Sequence, residues 1–292
     1  MALDPATIAE GPLGLEGEHV WNGLVVNVNT VFPRYKLKRI TGLRSKPDSD
    51  DLRDPARGTI GEIPYPSQPR GKTIVYSGVI EALTLPSLRA AITAIQTAFA
   101  DTKTEKALTL RPATGRGGIE WFAIGKSLSC DVDDEQLRGM NAVYIHAREF
   151  TFSIRLSDPR FYVTAPVEIS GAAGATVAAT NLGPAPADPV FTINGPITMD
   201  GFTVERVGGP QPRILTFKPS IAFAAISAGR TLVVQFGRLP RAYSPQIGGD
   251  FTTLIDFAST WWNDESDGIH PGAQNIKVTE AAWSMNFYHA SW

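Results

Sequence analysis

The sequence predicts a mostly β protein of two domains, and three observations carry that expectation. The chain has 292 residues, long enough for two domains of ordinary size. Its 27 glycines and 22 prolines, about a sixth of the chain, show no fixed period and punctuate short runs of alternating apolar residues. Such runs describe strands joined by turns. One stretch alone breaks the alternation with convincing helical spacing.

Taken in order, the first strand signal is His19 to Thr30, interrupted by Asn22-Gly23. Both of these residues tolerate positive φ, so the pair predicts a tight hairpin turn. Tyr35 to Ile40 is a second short strand. From Gly42 to Gly71 the pattern disappears among five prolines and a mixed run of charges. A segment of that length without periodicity is read as an extended arm ordered by a partner, the alternative being a flexible loop. Arg53, Tyr65 and Arg70 are its candidate contact residues.

Ile74 to Leu83 returns to strand. Leu88, Ile92, Ile95 and Phe99 then fall on one helical face, which predicts a helix over about 85–100. Pro86 is tolerated in its first turn, and Thr84 or Ser87 is placed to cap it. Strands follow at Ala107 to Arg111, Ile119 to Ser129 and Ala142 to Leu156. In the last run the apolar parity changes at Arg148–Glu149, the pattern of a β-bulge. Ser157-Asp158-Pro159 breaks the run, so the expected domains are 1–157 and 158–292. The first is a β-sandwich-like domain with one helix and the arm. The second reads as strands throughout: Val167 to Ser170, Ala175 to Asn181, Pro189 to Ile193, Ile197 to Val207, Ile214 to Phe217, Thr231 to Phe236, Ile276 to Thr279 and Trp283 to His289. That is the pattern of a β-sandwich.

Composition narrows the function classes. Charged residues are 19% of the chain and the net charge is −2, without the clustered basic excess that a nucleic-acid backbone selects. The single cysteine, Cys130, leaves folding to burial, as expected of synthesis in a reducing cytoplasm. No basic and apolar leader opens the chain, and no apolar run is long enough to span a bilayer.

Motifs of enzymatic chemistry are missing from the sequence. It has no GxSxG, HExxH or Walker-type loop. Gly115-Arg116-Gly117-Gly118 joins two strand signals and reads as a hairpin turn. His19, His146, His270 and His289 lack metal-ligand spacing. The acidic runs Asp131 to Glu135 and Asp48 to Asp54 lack the glycine and terminal glutamate of a calcium loop. Cys130 sits among acidic residues, a poor setting for a thiolate. No cofactor or metal is expected, and no catalytic residue is assigned. The C-terminal rings Phe251, Phe257, Trp261, Trp262, Trp283, Phe287, Tyr288 and Trp292 fill a core or a subunit contact. The alternative is a sugar platform formed by Trp261, Trp262 and Tyr288.

Several of these segments resemble the distal tail proteins of long-tailed, siphovirus-type bacteriophages. They are Asp158-Pro159-Arg160-Phe161-Tyr162, Asn181-Leu182-Gly183, Pro189 to Pro196, Leu254 to Trp262, and Ile269-His270-Pro271-Gly272 with Asn275-Ile276. The family pattern has an Asn two residues after that glycine, where this chain has Gln274. The resemblance covers mainly residues 155–292. It implies a structural hub of the tail tip or baseplate, made in the host cytoplasm and assembled into the virion. It further implies a hexameric ring built through the N-terminal domains and a C-terminal sandwich that is galectin-like or carbohydrate-module-like. The implied partners are the tail tube protein, the tape measure protein and receptor-binding tip proteins. Neither nucleic-acid specificity nor membrane insertion is implied. The alternative function is a carbohydrate-binding or adhesin-type tail protein that uses its C-terminal sandwich.

Overall fold

The computed structural model describes residues 8, 11–12, 14–28, 34–45, 49–50, 53–55, 62–64, 68–69, 71–112, 118–133, 146–198, 200–207, 213–217, 226–236, 241–254 and 268–291. The chain divides into two compact units. One comprises Met1–Ser49, Pro69–Thr164 and Ser291–Trp292; the other comprises Asp50–Gln68 and Ala165–Ala290.

The first unit opens with β1 (Gly17–Trp21) and β2 (Leu24–Val26). Asn22 and Gly23 turn between them with φ of 47° and 82°, and Trp21 faces Leu24 across the ladder. This is the hairpin that the Asn-Gly pair predicts. Next is β3 (Tyr35–Thr41). The 42–71 segment, whose Asp50–Gln68 stretch belongs to the second unit, was expected to lack regular structure, but its described residues include four short strands: β4 (Ser49–Asp50), β5 (Arg53–Pro55), β6 (Glu62–Pro64) and β7 (Gln68–Pro69). β4 pairs with β7 and β5 with β6. Two-residue and three-residue strands are too short to show a period. A two-stranded ladder also leaves outer edges on which Pro55 and Pro64 are tolerated.

The unit continues with β8 (Thr73–Ala82), α1 (Leu85–Phe99), β9 (Lys106–Pro112), β10 (Trp121–Val132), β11 (His146–Leu156) and β12 (Phe161–Val163). The sheet order is β2-β1-β9-β10-β11-β8-β3, with β12 paired to β10. Asn27 N–H, just beyond β2, donates to Tyr35 O at the start of β3 at 2.8 Å. The two ends of the sheet path therefore meet, and the sheet encloses its core. α1 presents Leu88, Ala91, Ile95, Ala98 and Phe99 as buried residues. Phe99 packs at a tilt against Phe152 with ring centres 4.3 Å apart, and Phe152 stacks on Tyr76 at 4.7 Å. Each such buried ring contributes about 1.5–3 kcal/mol by leaving water. The end of the helix is held by side chains from the sheet: Asn22 Nδ2 donates to Ala98 O at 3.2 Å, and Ser127 Oγ to Phe99 O at 2.8 Å. These bonds satisfy carbonyls that a helix end leaves open.

The bulge lies elsewhere than expected. β11 pairs with β8 without a break from His146 to Arg155, so Arg148–Glu149 carries no bulge. Register shifts fall instead between Ser127 and Ser129 of β10 and between Leu37 and Arg39 of β3. In β10, Leu128 is the extra residue and is 52% exposed.

The second unit is a two-sheet antiparallel β-sandwich. Its strands are β13 (Val167–Gly171), β14 (Thr176–Asn181), β15 (Val190–Asn194), β16 (Phe202–Val207), β17 (Arg213–Phe217), β18 (Thr231–Gln235), β19 (Arg241–Ser244), β20 (Gly249–Asp250), β21 (Gly272–Val278) and β22 (Trp283–Phe287). One sheet runs β13-β22-β15-β18-β19-β20 and the other β14-β21-β16-β17. In the first, Met285, Phe191 and Val234 form one buried row, and Trp283, Ile193 and Leu232 the next. In the second, Val204 pairs with Val278, and Phe202 stacks on Phe217 at 5.1 Å. The strand expected from Ile197 to Val207 is shorter. Ile197 makes a single bridge to Ile226, and Gly201 turns with φ of 76° before β16 begins.

Candidate functional site

Two of the segments that carry the family resemblance form knots of polar contacts, half-buried around Asp158 and buried around Asn181. At Asp158 the carboxylate accepts from Arg160 Nε at 2.9 Å, Arg160 Nη2 at 2.8 Å, Arg160 N at 3.0 Å and Tyr162 Oη at 2.6 Å. Burial would raise the acid, but the Arg160 charge and these four donors outweigh it and hold the carboxyl below its ordinary value. The alternation of the strand lets Arg160 and Tyr162 reach the same carboxylate while Phe161 points into the core, fully buried.

Asn181 works in the same way in the second unit. It is 1% exposed. Its Nδ2 donates to Ala185 O at 2.7 Å and Ile269 O at 2.8 Å, and its Oδ1 accepts from Gly183 N at 3.0 Å. A Cβ on Gly183 would run into the Ala290 carbonyl, so the middle of this turn has room for glycine only. Leu182 N–H donates to His289 Nδ1 at 3.1 Å, and burial keeps that imidazole below its ordinary pKa. Ile269 and Ala187 exchange backbone bonds at 2.8 and 3.1 Å. The Asn-Leu-Gly and Ile-His-Pro-Gly segments thus meet around one amide.

His19 is buried too, with its rings' nitrogens facing Tyr76 Oη at 3.2 Å and Gly14 O at 3.0 Å. Burial pushes it down to about 4, against the pull of the Gly14 carbonyl. Glu18, beside it, accepts from Arg111 Nε at 2.8 Å. Sequence reading missed both arrangements. The only available signal was the placement of Glu18 and His19 within an apolar strand.

A shallow groove of about 200 Å³ on the first unit is lined by Lys38, Ser77, Asp131, Asp133, Glu149 and Thr151. Lys38 Nζ pairs with Glu149 at 2.6 Å, both side chains being close to half exposed. Asp134 and Glu135 of the acidic run lie outside the described residues. Among the described residues no three metal-capable side chains converge. Burial and then the Asp131 charge push the Cys130 thiol up to about 11, so it is not a thiolate at neutral pH.

The candidate contact residues fall as follows. Arg53 lies in β5 opposite Pro64, whereas Tyr65 and Arg70 lie outside the described residues. Of the three rings of the sugar-platform alternative, Trp261 and Trp262 also lie outside them, and Tyr288 is 37% exposed. Phe251, Trp283 and Phe287 are core residues, at most 2% exposed.

No known family profile and no curated protein matches the sequence. Solved structures do match. The chain is similar to the Dit protein of phage SPP1, a hub of the adsorption apparatus of phages that infect Gram-positive bacteria. The identity is 13%, the match covers 94% of this chain and 98% of that one, and the TM-score is 0.59. The chain has that protein's fold. The baseplate of phage P2 in its activated conformation is also matched, at 10% identity, in its strontium and calcium forms. The TM-scores are 0.38 and 0.37, with at least 92% of this chain and 97% of the other chain covered.

Proposed function

We propose that this chain is a structural, non-enzymatic subunit of a phage tail tip, the hub through which the tail tube joins the receptor-binding apparatus. The observation that supports this most directly is the shared fold with the SPP1 hub protein, which extends through both units and nearly the full length of each chain. The knots at Asp158 and Asn181 suit that role, because a hub transmits load and needs its strand connections fixed.

In this reading the subunit forms a homo-oligomeric, six-membered ring through its first unit, and the 42–71 segment reaches a neighbour through Arg53, Tyr65 and Arg70. The tail tube protein, the tape measure protein and the tip proteins are the partners above and below the ring. The carbohydrate-binding alternative depends on Trp261, Trp262 and Tyr288 standing together in one exposed groove.

Solution mass and negative-stain imaging of the purified chain test the proposal. A mass near six subunits with six-fold rings is expected. A trimer, or a stable monomer that does not enter rings when mixed with tail tube protein, would overturn the ring reading.

A further inference from the structure

Lys72 lies immediately before β8 and is 5% exposed. Its Nζ donates to Leu43 O at 2.9 Å and lies 4.8 Å from the centre of the Phe161 ring. The Asp158 carboxylate also acts on it electrostatically. Three stretches far apart in sequence converge on this one ammonium: the chain leaving β3, the start of β8 and the Asp158–Tyr162 knot.

The backbone is tight at the same place. A Cβ on Gly42 would meet the Thr73 carbonyl, and one on Gly71 the Leu156 carbonyl. Leu156 N–H donates to Lys72 O at 2.8 Å. These backbone contacts already secure β8 against β11 without any help from a lysine side chain. A buried ammonium, moreover, costs desolvation energy that an apolar side chain of similar length does not. The cost shows in the amine, which burial pushes down to about 8 while Asp158 pulls it back up.

We propose that Lys72 is a positioning residue, a charged clasp that pins the Leu43 carbonyl, and with it the chain leaving β3, onto the Asp158–Phe161 knot. The side chain is present for local geometry rather than for global stability. The inference does not depend on the ring reading.

Cleavage after Arg44 by an arginine-specific protease reads the clasp directly. Arg44 sits one residue past Leu43, with its Nη2 donating to Pro12 O at 3.2 Å. Lys72→Met keeps most of the apolar stem and removes the ammonium. Cleavage at neutral pH is expected to accelerate about tenfold, the scale of one lost hydrogen bond to a charged group. The melting temperature should stay level or rise, and Lys72→Arg should restore slow cleavage.

The wild-type protein supplies a second readout. Between about pH 7 and about pH 9 its rate, normalised to a reference peptide, should climb toward that of Lys72→Met as the ammonium loses its proton. The described charged groups around the clasp are Asp158, Arg160, Arg155 and Arg44. Lys72 is the amine at the centre of this set, and its ammonium is the group the series reads. Equal cleavage of all three proteins would overturn the proposal. So would faster cleavage that merely accompanies a lower melting temperature. Should Lys72→Met not fold, a flat wild-type pH series would overturn it by itself.

Discussion

Among the described residues, the buried polar side chains of the first unit include Glu18, His19, Lys72 and Glu81, whereas those of the second are Asn181, Ser244 and His289. Both units are antiparallel β, yet they hold their polar groups differently. In the first, the buried groups are ionisable: Glu18 meets Arg111 across the β1–β9 ladder, and His19 and Lys72 reach the Gly14 and Leu43 carbonyls. In the second, backbone groups are captured by an amide and a ring nitrogen. The consequence is a difference in what each unit is sensitive to. Proton activity acts most strongly on the first, and local shape on the second.

The largest test of that difference is Trp283→Ala. Trp283 is 1% exposed and sits between Gly171 and Ile193 in the ladders. Truncating a buried aromatic of this size costs about 3–5 kcal/mol. Calorimetry should show a lowered transition for the second unit and an unchanged one for the first. A common shift of both would mean that the units unfold as one.

Acid supplies the reciprocal test. His19 has a folded pKa of about 4 against 6.5 for the free side chain. Between these values the unfolded chain takes up a proton that folded His19 refuses, so stability rises with pH across that window. The contribution is fully present above about 6.5 and is lost as pH falls through about 4. The loss amounts to roughly 3 kcal/mol. Denaturant titrations at several pH values should show it in the first unit, and His19→Gln should flatten the curve. An equally steep curve in the variant would move the cause to another group. Asn181→Ala comes next in size. It strands Gly183 N–H and two carbonyls, and leaving buried groups unpaired costs about 1–3 kcal/mol. The transition of the second unit should fall, with no added dependence on pH.

The elements legible in the sequence were those whose signal is local. The Asn22-Gly23 turn needs only two residues that accept positive φ, and the alternation of Leu232 and Val234 is visible within β18 itself. The helix face is visible for the same reason, although Ile92 proved half-buried and Ala91 and Ala98 complete the face. Signals that depend on a partner strand were not legible. A bulge adds one residue relative to a neighbour, and Leu128 in β10 looks no different in sequence from a residue in register. The parity change near Arg148 pointed to the wrong strand: Ala147 and Phe150 have opposite parity in an unbroken stretch of β11, yet both are buried, so the phase change marks burial on both faces rather than an extra residue. β19 and β20 escaped notice because four and two residues between turns cannot show a period. The knots were legible as motifs but not as chemistry. Nothing adjacent to Lys72 in sequence announces Leu43, Phe161 and Asp158 as its surroundings.

The smallest expected effect sharpens the comparison from the helical side. Thr84 has extended backbone angles, and its Oγ1 accepts from Ser87 N at 3.3 Å, satisfying an amide that the first turn of α1 leaves open. No acidic side chain stands in that turn, so nothing else there offsets the partial positive charge of the helix N-terminus. Thr84→Ala should therefore lower the transition of the first unit by about 1 kcal/mol. Thr84→Asp should match or exceed the wild type, because it keeps the acceptor and adds a charge of the favourable sign. This gain should vanish as the introduced carboxyl is protonated in acid, so the variant would make the first unit more pH-dependent while leaving the second as it was. If Thr84→Ala changes nothing, Leu88 and Ile95 fix the start of the helix by packing alone, and the cap adds no measurable stability.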